Sequence, residues 1–375
     1  MKPITCKEFA DVCIQNDLIY FTGVPDSTYE SWLSYLVSHP NKFQHCIAAN
    51  EGAAIAHATG YHLASGKVGV AYMQNSGFGN TINPLTSLTD EHVFAIPMIL
   101  MIGWRGEPGI RDEPQHKKIG KVMLSVLHSL GISYVIMGEE NVKEQVTEAK
   151  QTAQKNSRPF ALIIRKGLFE KESHKTARKA SSSLNKQDAI LEILNHVRRN
   201  DIVVATTGKI AREVYAAREV KGLSHACDFY SIGSMGHASA IALEIARQKP
   251  KTRVFIFDGD GAAIMHLGTW GTIGHYRPQN LTHIIFDNGC HESTGSQPTV
   301  SNTMDFRAIA QGCGYQKIQF CGTKSNLTNV INETKSGLSM IVVKISGSSR
   351  DDLGRPKRAP VELKESLIER LKELS

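Results

Sequence analysis

Two apolar runs in the second half of the chain end in oxygen-bearing side chains. Val254-Phe255-Ile256-Phe257 leads into Asp258-Gly259-Asp260-Gly261-Ala262, and Leu281–Phe286 leads into Asp287-Asn288-Gly289. Apolar runs of this length bounded by polar turns read as buried parallel strands. The carboxyl edge of an open parallel sheet is where ligands bind. Asp260 offers a carboxylate and Asn288 an amide carbonyl, the hard oxygen donors that Mg²⁺ or Ca²⁺ prefers. Gly259 and Gly261 let the backbone approach an anion, and a helix expected to open at Ala262 would turn its unbonded N–H groups towards it. An Asp-Gly step alone is an ordinary turn former. The Asn at the tip of the next strand adds a second ligand, and a metal ion with a diphosphate accounts for all of these residues.

The first half offers acid–base chemistry. Glu51 stands between Cys46-Ile47-Ala48-Ala49 and Gly52-Ala53-Ala54-Ile55-Ala56. Desolvation among small apolar residues favours its neutral form, whereas a place at a helix start favours the charge. Thr22-Gly23-Val24-Pro25-Asp26-Ser27 reads as a turn with Asp26 or Ser27 capping the next helix. Gln74-Asn75-Ser76-Gly77-Phe78-Gly79-Asn80 reads as a flexible helix start or a ligand loop. The segment after Gly103 carries Arg105, Arg111 and His116, followed by Lys117 and Lys118. It is either solvated surface or a clamp for a substrate anion, for which the planar fork of Arg is suited. In the second half, the Thr207 hydroxyl is placed to reach a diphosphate. Met235, within Gly233-Ser234-Met235-Gly236-His237, reads alone as a core methionine. His291 opens a polar segment reaching Gln297 that is either a cover or a surface loop.

The elements that must position these residues alternate along the whole chain. Strand-like runs lie at Leu18–Thr22, Gln44–Ala49, Val68–Met73, Ala95–Trp104, Ser133–Met137 and Phe160–Arg165, then at Asp201–Thr207, Asp228–Ile232, Arg253–Phe257, His283–Phe286, Gln316–Phe320 and Ser339–Ile345. Amphipathic stretches such as Ser27–Ser38, Glu51–Ser65 and Lys117–Leu130 separate them. This pattern predicts an α/β chain of two doubly wound, mainly parallel-sheet domains. The Lys-, Ser- and Thr-rich stretch 170–186 reads as a linker between domains 1–169 and 187–375.

With 375 residues and 41% hydrophobic content, the chain has enough apolar material for two cores. The longest apolar run, Val93–Trp104, contains Pro97 and reads as a buried strand too short to span a bilayer. Neither a membrane segment nor an apolar leader is expected, and seven cysteines without a Cys-x-x-Cys pair suit a reducing, cytoplasmic setting. The net charge of +7 is moderate and lacks the aromatic–basic interleaving of a nucleic-acid surface. It suits a small anionic substrate.

Gly259-Asp260-Gly261 with the following Asn288 resembles the binding motif of the thiamine diphosphate (ThDP) enzymes. The resemblance implies that Asp260, Asn288 and the main-chain carbonyl of Cys290 hold Mg²⁺. Where the family often has Asn-Asn, this chain has Asp287-Asn288, which keeps the ligand position. Asn50-Glu51-Gly52-Ala53-Ala54, followed by Ala58-Thr59-Gly60-Tyr61, resembles the catalytic-Glu segment of the ThDP decarboxylases. There the carboxylic acid hydrogen-bonds the cofactor's pyrimidine. The resemblance further implies that Gly233 offers its carbonyl and Met235 its N–H to the pyrimidine, with the Met235 side chain wedged between the two rings. Thr207, Ser234, Gly259, Gly261, Ala262 and His291 would line the same cofactor.

Thr22–Ser27, Gln74–Asn80, Asn83-Pro84-Leu85, Gly103–Gly109, Asp112–His116 and the tail from Ser346 to Pro356 are similar to the phosphonopyruvate and sulfopyruvate decarboxylases. That likeness, spanning Gly23 to Pro360, implies a pyrimidine-binding domain, then a diphosphate-binding domain, with no middle domain. It also implies decarboxylation of a small anionic 2-keto acid, 3-phosphonopyruvate, in phosphonate biosynthesis. Asp26 would lie near the reacting carbons, and Arg105, Arg111 or His116 on the distal anion. The His-His pair of simple 2-keto acid decarboxylases is absent. The family builds its site between subunits, so a homodimer or larger homo-oligomer is expected, with Glu51 of one chain facing Asp260 and Asn288 of another. The alternatives are sulfopyruvate as substrate, a nucleotide-sugar transferase using Asp258-Gly259-Asp260 as a D-x-D metal site, and a non-catalytic binding module.

Overall fold

Successive residues of each strand enter two different cores, one on each face of the sheet. In a computed structural model, the first sheet contains β1 (Tyr20–Gly23), β2 (Gln44–Ile47), β3 (Gly69–Gln74), β4 (Met98–Gly103), β5 (Ser133–Ile136) and β6 (Phe160–Ile164). Ile99 and Met101 of β4 join a core with Phe9, Trp32 and Phe169, while Met98, Leu100 and Ile102 join one with Met123 and Leu127. The structure describes residues 3–171, 184–334, 336–346 and 353–374. Much of the expected linker and of the tail after Ser346 therefore lies outside the described residues. The chain divides into two compact units, the first reaching to Thr176 and taking in Thr294–Gln297, the second holding the remainder.

The second sheet repeats the plan with β7 (Ile202–Ala205), β8 (Asp228–Tyr230), β9 (Val254–Gly259) and β10 (Leu281–Asp287). The two-residue strands β11 (Cys290–His291) and β12 (Gln297–Pro298) precede its last members, β13 (Lys317–Cys321) and β14 (Ser339–Lys344). Val203, Phe255, Ile284 and Ile341 face one core, and Val204, Val254, Ile285 and Val342 the other. Every strand pairing described in the two six-stranded sheets is parallel. The strand orders are β2-β1-β3-β4-β6-β5 and β8-β7-β9-β10-β14-β13, the same topology twice. In each unit the order reverses next to the first strand, so the carboxyl ends of β1 and β3, and of β7 and β9, flank a switch-point crevice. Asp26 follows β1 and Gln74 ends β3 at one such pair, and Thr206 and Asp260 follow the other.

Several boundaries differ from the sequence expectation. The run Val93–Trp104 is not buried throughout: Val93 and Phe94 are 50% and 63% exposed, and β4 starts only at Met98. Ala95 adopts a left-handed φ of 51°, and Pro97 has no N–H for a ladder, so the strand cannot begin earlier. The helix expected at Ala262 opens two residues sooner and covers Asp260–Met265. Lys186, expected in the linker, opens the helix Lys186–His196, whose cap is the Asn185 side chain accepting the Asp188 N–H. Among the described residues no helix is long and apolar enough to cross a membrane.

The first unit is anchored by Trp32, fully buried with Phe9, Phe21 and Phe43 rings at centroid distances of 4.8, 5.3 and 5.5 Å. Trp32→Ala should lower stability by about 3–5 kcal/mol through transfer and cavity costs. The expected reading is a lower urea midpoint at unchanged m value, and a loss below about 1 kcal/mol would show that this cluster is not the anchor.

Candidate active site

In the first unit the sequence places an acid on a helix start and buries it. Asn50 caps the helix Glu51–Ser65 by accepting the Ala53 N–H at 2.9 Å, which fixes Glu51 as its first residue. The Glu51 carboxyl is buried, and that burial raises its pKa, with a hydrogen bond from Asn80 opposing the rise. The Asn80 amide donates to Oε2 at 2.8 Å. Gly77 leaves room for the acid: a Cβ there would lie 2.0 Å from Glu51 Oε1.

Asp26 is fully buried and does not cap the following turn, as the sequence had suggested. Its Oδ1 accepts the Gln74 amide at 2.7 Å, while Oδ2 finds no hydrogen-bond partner among the described residues. The neighbouring cations are arranged differently from expectation. Arg105 is already held by Asp112 through Nε at 2.8 Å and Nη2 at 2.6 Å, so its bidentate fork is spent within the chain. Burial pushes the Asp112 carboxyl up, but bonds from Arg105 and the Gly106 N–H outweigh it and hold the group at about 2. His116 is buried, its Nδ1 has no partner among the described residues, and burial, then Arg105, lowers its pKa. Arg111 is exposed. A distal anion near this loop would therefore meet a neutral-leaning imidazole and a guanidinium already neutralised.

In the second unit Asp260 and Asn288 follow adjacent strands β9 and β10. Asp260 is buried, and its Oδ2 accepts the Thr299 hydroxyl. Asn288 is half-buried, and its Oδ1 accepts the Cys290 N–H at 3.1 Å, which orients the amide in the turn. Asp287 is also buried and pairs with Lys344. Burial pushes the Asp260 carboxyl up from 3.8 to about 6, with the Thr299 bond opposing and the Asp287 charge adding to it. Among the described residues no three His, Cys, Asp or Glu side chains cluster as a metal site. One buried carboxylate with an amide oxygen and main-chain carbonyls at strand tips nevertheless fits a hard divalent cation, whose charge would relieve the strained acid.

The remaining candidates gather around the same strand tips. The turn Gly233–Gly236 packs on the Asp260 helix, since a Cβ at Gly236 would lie 3.0 Å from Ala262 O. Ser234 there has a φ of 52° and is exposed, and Met235 is half-buried rather than a core methionine. The His291 ring lies over Gly261, and burial lowers its pKa to about 4, which keeps it neutral. Thr207 is half-buried, while the adjacent Thr206 hydroxyl is buried and lacks a partner among the described residues. Beside His291, Glu292 forms a buried ion pair with Lys186. Sequence reasoning missed Thr299, Ser301 and Lys344 and gave Lys186 to the linker. No motif flags them, because they lie far from Asp260 and Asp287 in the chain.

Comparisons with known proteins show the family. Residues 6–124 match the thiamine pyrophosphate enzyme N-terminal TPP binding domain, and residues 206–345 match its C-terminal TPP binding domain. The chain is 32% identical over 360 residues to phosphonopyruvate decarboxylase of Streptomyces viridochromogenes, covering 91% of this chain and 88% of that one. It is 31% identical over 360 residues to phosphonopyruvate decarboxylase of Streptomyces hygroscopicus, covering 91% and 87%. Sulfopyruvate decarboxylase of Methanosarcina acetivorans is 29% identical over 302 residues, covering 74% and 75%.

The raised Asp260 pKa has a signed consequence. A carboxyl whose folded pKa exceeds its unfolded value contributes its stability at low pH and loses it as pH rises through the folded value. In the cofactor-free protein, Asp260→Asn removes a charge that is costly to bury above that point. It should be nearly neutral around pH 4 and stabilising by up to about 3 kcal/mol above about pH 7. Thermal unfolding of both proteins across this range checks it; a midpoint difference independent of pH would contradict the assignment.

Proposed function

Because the chain belongs to the thiamine pyrophosphate enzymes, as a ThDP-dependent 2-keto acid decarboxylase, we propose that it converts 3-phosphonopyruvate into phosphonoacetaldehyde and CO₂, with Mg²⁺ as its second cofactor. The chain-long likeness to the two Streptomyces enzymes carries this reading. It takes in 91% of the chain, against 74% for the sulfopyruvate enzyme. The step suits phosphonate biosynthesis, and the seven cysteines, none joined in a disulfide among the described residues, support a cytoplasmic setting.

Bound ThDP would supply a nucleophilic carbon and an electron sink. The chain's own residues would do the rest. Asp260 Oδ, the Asn288 side-chain oxygen and the Cys290 carbonyl would hold Mg²⁺, and the Asp260 helix and the Thr207 hydroxyl would face the diphosphate. The backbone of Gly233 and Met235 would receive the pyrimidine, Met235 would wedge the rings apart, and His291 would cover the site. Glu51, favoured in its neutral form by burial, would hold a proton against the pyrimidine nitrogen. Asp26 has one oxygen fixed by Gln74 and one without a partner among the described residues, which suits it to hold or pass a proton near the reacting carbons. Arg111 would be the cation for the phosphonate, His116 would offer it a ring N–H, and Arg105 could join only by sharing its fork with Asp112.

We further propose a homodimer or larger homo-oligomer in which Glu51 of one chain serves Asp260 and Asn288 of another. Mixing inactive Glu51→Gln and Asp260→Ala proteins under conditions of demonstrated subunit exchange should then restore part of the activity; no recovery would rule out shared sites.

The decisive experiment is CO₂ release from phosphonopyruvate, sulfopyruvate and pyruvate, each with and without added ThDP and Mg²⁺. Fastest release from phosphonopyruvate, dependent on both cofactors, is expected, with Glu51→Gln lowering kcat by about 10²–10⁴-fold. Faster turnover of sulfopyruvate would reassign the substrate, and release independent of ThDP would end the proposal.

A further inference from the structure

Asp287 and Lys344 occupy paired positions on the neighbouring parallel strands β10 and β14. The Lys344 ammonium contacts Asp287 Oδ2, and the Lys344 side chain keeps 37% of its surface in solvent while Asp287 is buried. The other carboxylate oxygen, Oδ1, accepts the Gly289 N–H at 3.0 Å and the Ser301 hydroxyl at 2.9 Å. Asp287 therefore grips both sides of Asn288: it is the preceding residue, and it bonds the residue that follows. Ser301 Oγ lies 3.1 Å from Thr299 Oγ1, and the Thr299 hydroxyl donates to Asp260 Oδ2. The Thr299 N–H also donates to Gly289 O at 3.0 Å. A continuous polar chain thus runs from a surface ammonium to Asp260 and to the residues on either side of Asn288.

Two buried carboxylates joined by two hydroxyls would hold a divalent cation strongly and would also repel one another without it. One ammonium on the far side offsets one of the charges while leaving the Asp260 carboxylate to the cation. We infer that Lys344 is a positioning residue that sets the divalent-cation affinity of this site by anchoring and partly neutralising Asp287. The inference rests on the reading of Asp260 and Asn288 as cation ligands given under Proposed function. Lys344 itself touches neither ligand and acts through Asp287.

A merely structural ion pair and a charge-setting one predict different signs. Mg²⁺ is titrated calorimetrically into the purified full-length protein at saturating ThDP, at a pH well above the carboxylate range. Lys344→Met should tighten the Mg²⁺ dissociation constant by about tenfold, because an uncompensated carboxylate remains beside the site. Asp287→Asn should weaken it by about tenfold, because an uncompensated ammonium remains. The double variant should return close to the parent value, and Lys344→Arg should retain it. If Lys344→Met does not fold, Lys344→Gln carries the same expectation with a hydrogen bond kept. Weaker binding in every single variant, or no change in any, would overturn the inference while leaving the cation site intact. No Mg²⁺ binding by the parent protein would overturn the cation reading and this inference together.

Discussion

Carboxylates buried at strand tips are the constraint on which the rest of the site depends. Removing an ion from water costs several kcal/mol even after relaxation, so each such group must find partners, shift towards its neutral form, or receive an outside charge. Asp112 takes the first course through Arg105, and Asp228, remote from the site, does the same through Arg218. Glu51 is pushed along the second course. Asp260 is caught between courses, with hydroxyls opposing the shift and a second acid adding to it. That imbalance is what a metal ion would resolve, and it links the fold to the proposed chemistry more directly than any single motif does.

The duplicated topology explains how one chain brings two such sites into being. Each sheet reverses its strand order beside its first strand, and each reversal opens a crevice at the carboxyl edge. The side chains proposed to meet cofactor or substrate follow one of the first four strands of their own sheet. Because both faces of each sheet are covered, the strands must be apolar on both sides, and polar residues are driven to the tips.

Much of this was legible in the chain itself. Continuous apolar runs gave the parallel strands, and the alternation with helical stretches gave the doubly wound class, because those patterns follow directly from burial on both faces. The acidic tips of β9 and β10 were visible because two apolar runs in succession each end in an oxygen donor. What could not be read was which polar groups would spend themselves on one another. Arg105 looked free for a substrate until Asp112 met it across a loop, and Asp26 looked like a helix cap until Gln74 took its oxygen. Thr299, Ser301 and Lys344 carry no local signature at all, since their importance arises from pairing across strands and turns. Val93 and Phe94 misled in the opposite direction: hydropathy was right about their character and silent about Ala95 and Pro97, whose backbone geometry keeps them outside the sheet.

Gly77 is not among the residues forced into a left-handed conformation, so torsional freedom is not what reserves its place. Space is: the volume that a methyl group would fill there already belongs to the Glu51 carboxyl. Positions 51 and 77 are consequently two halves of a single steric decision. Any descendant of this chain that enlarges one must shorten or redirect the other, so the fate of a residue without functional atoms is bound to that of the acid it shelters.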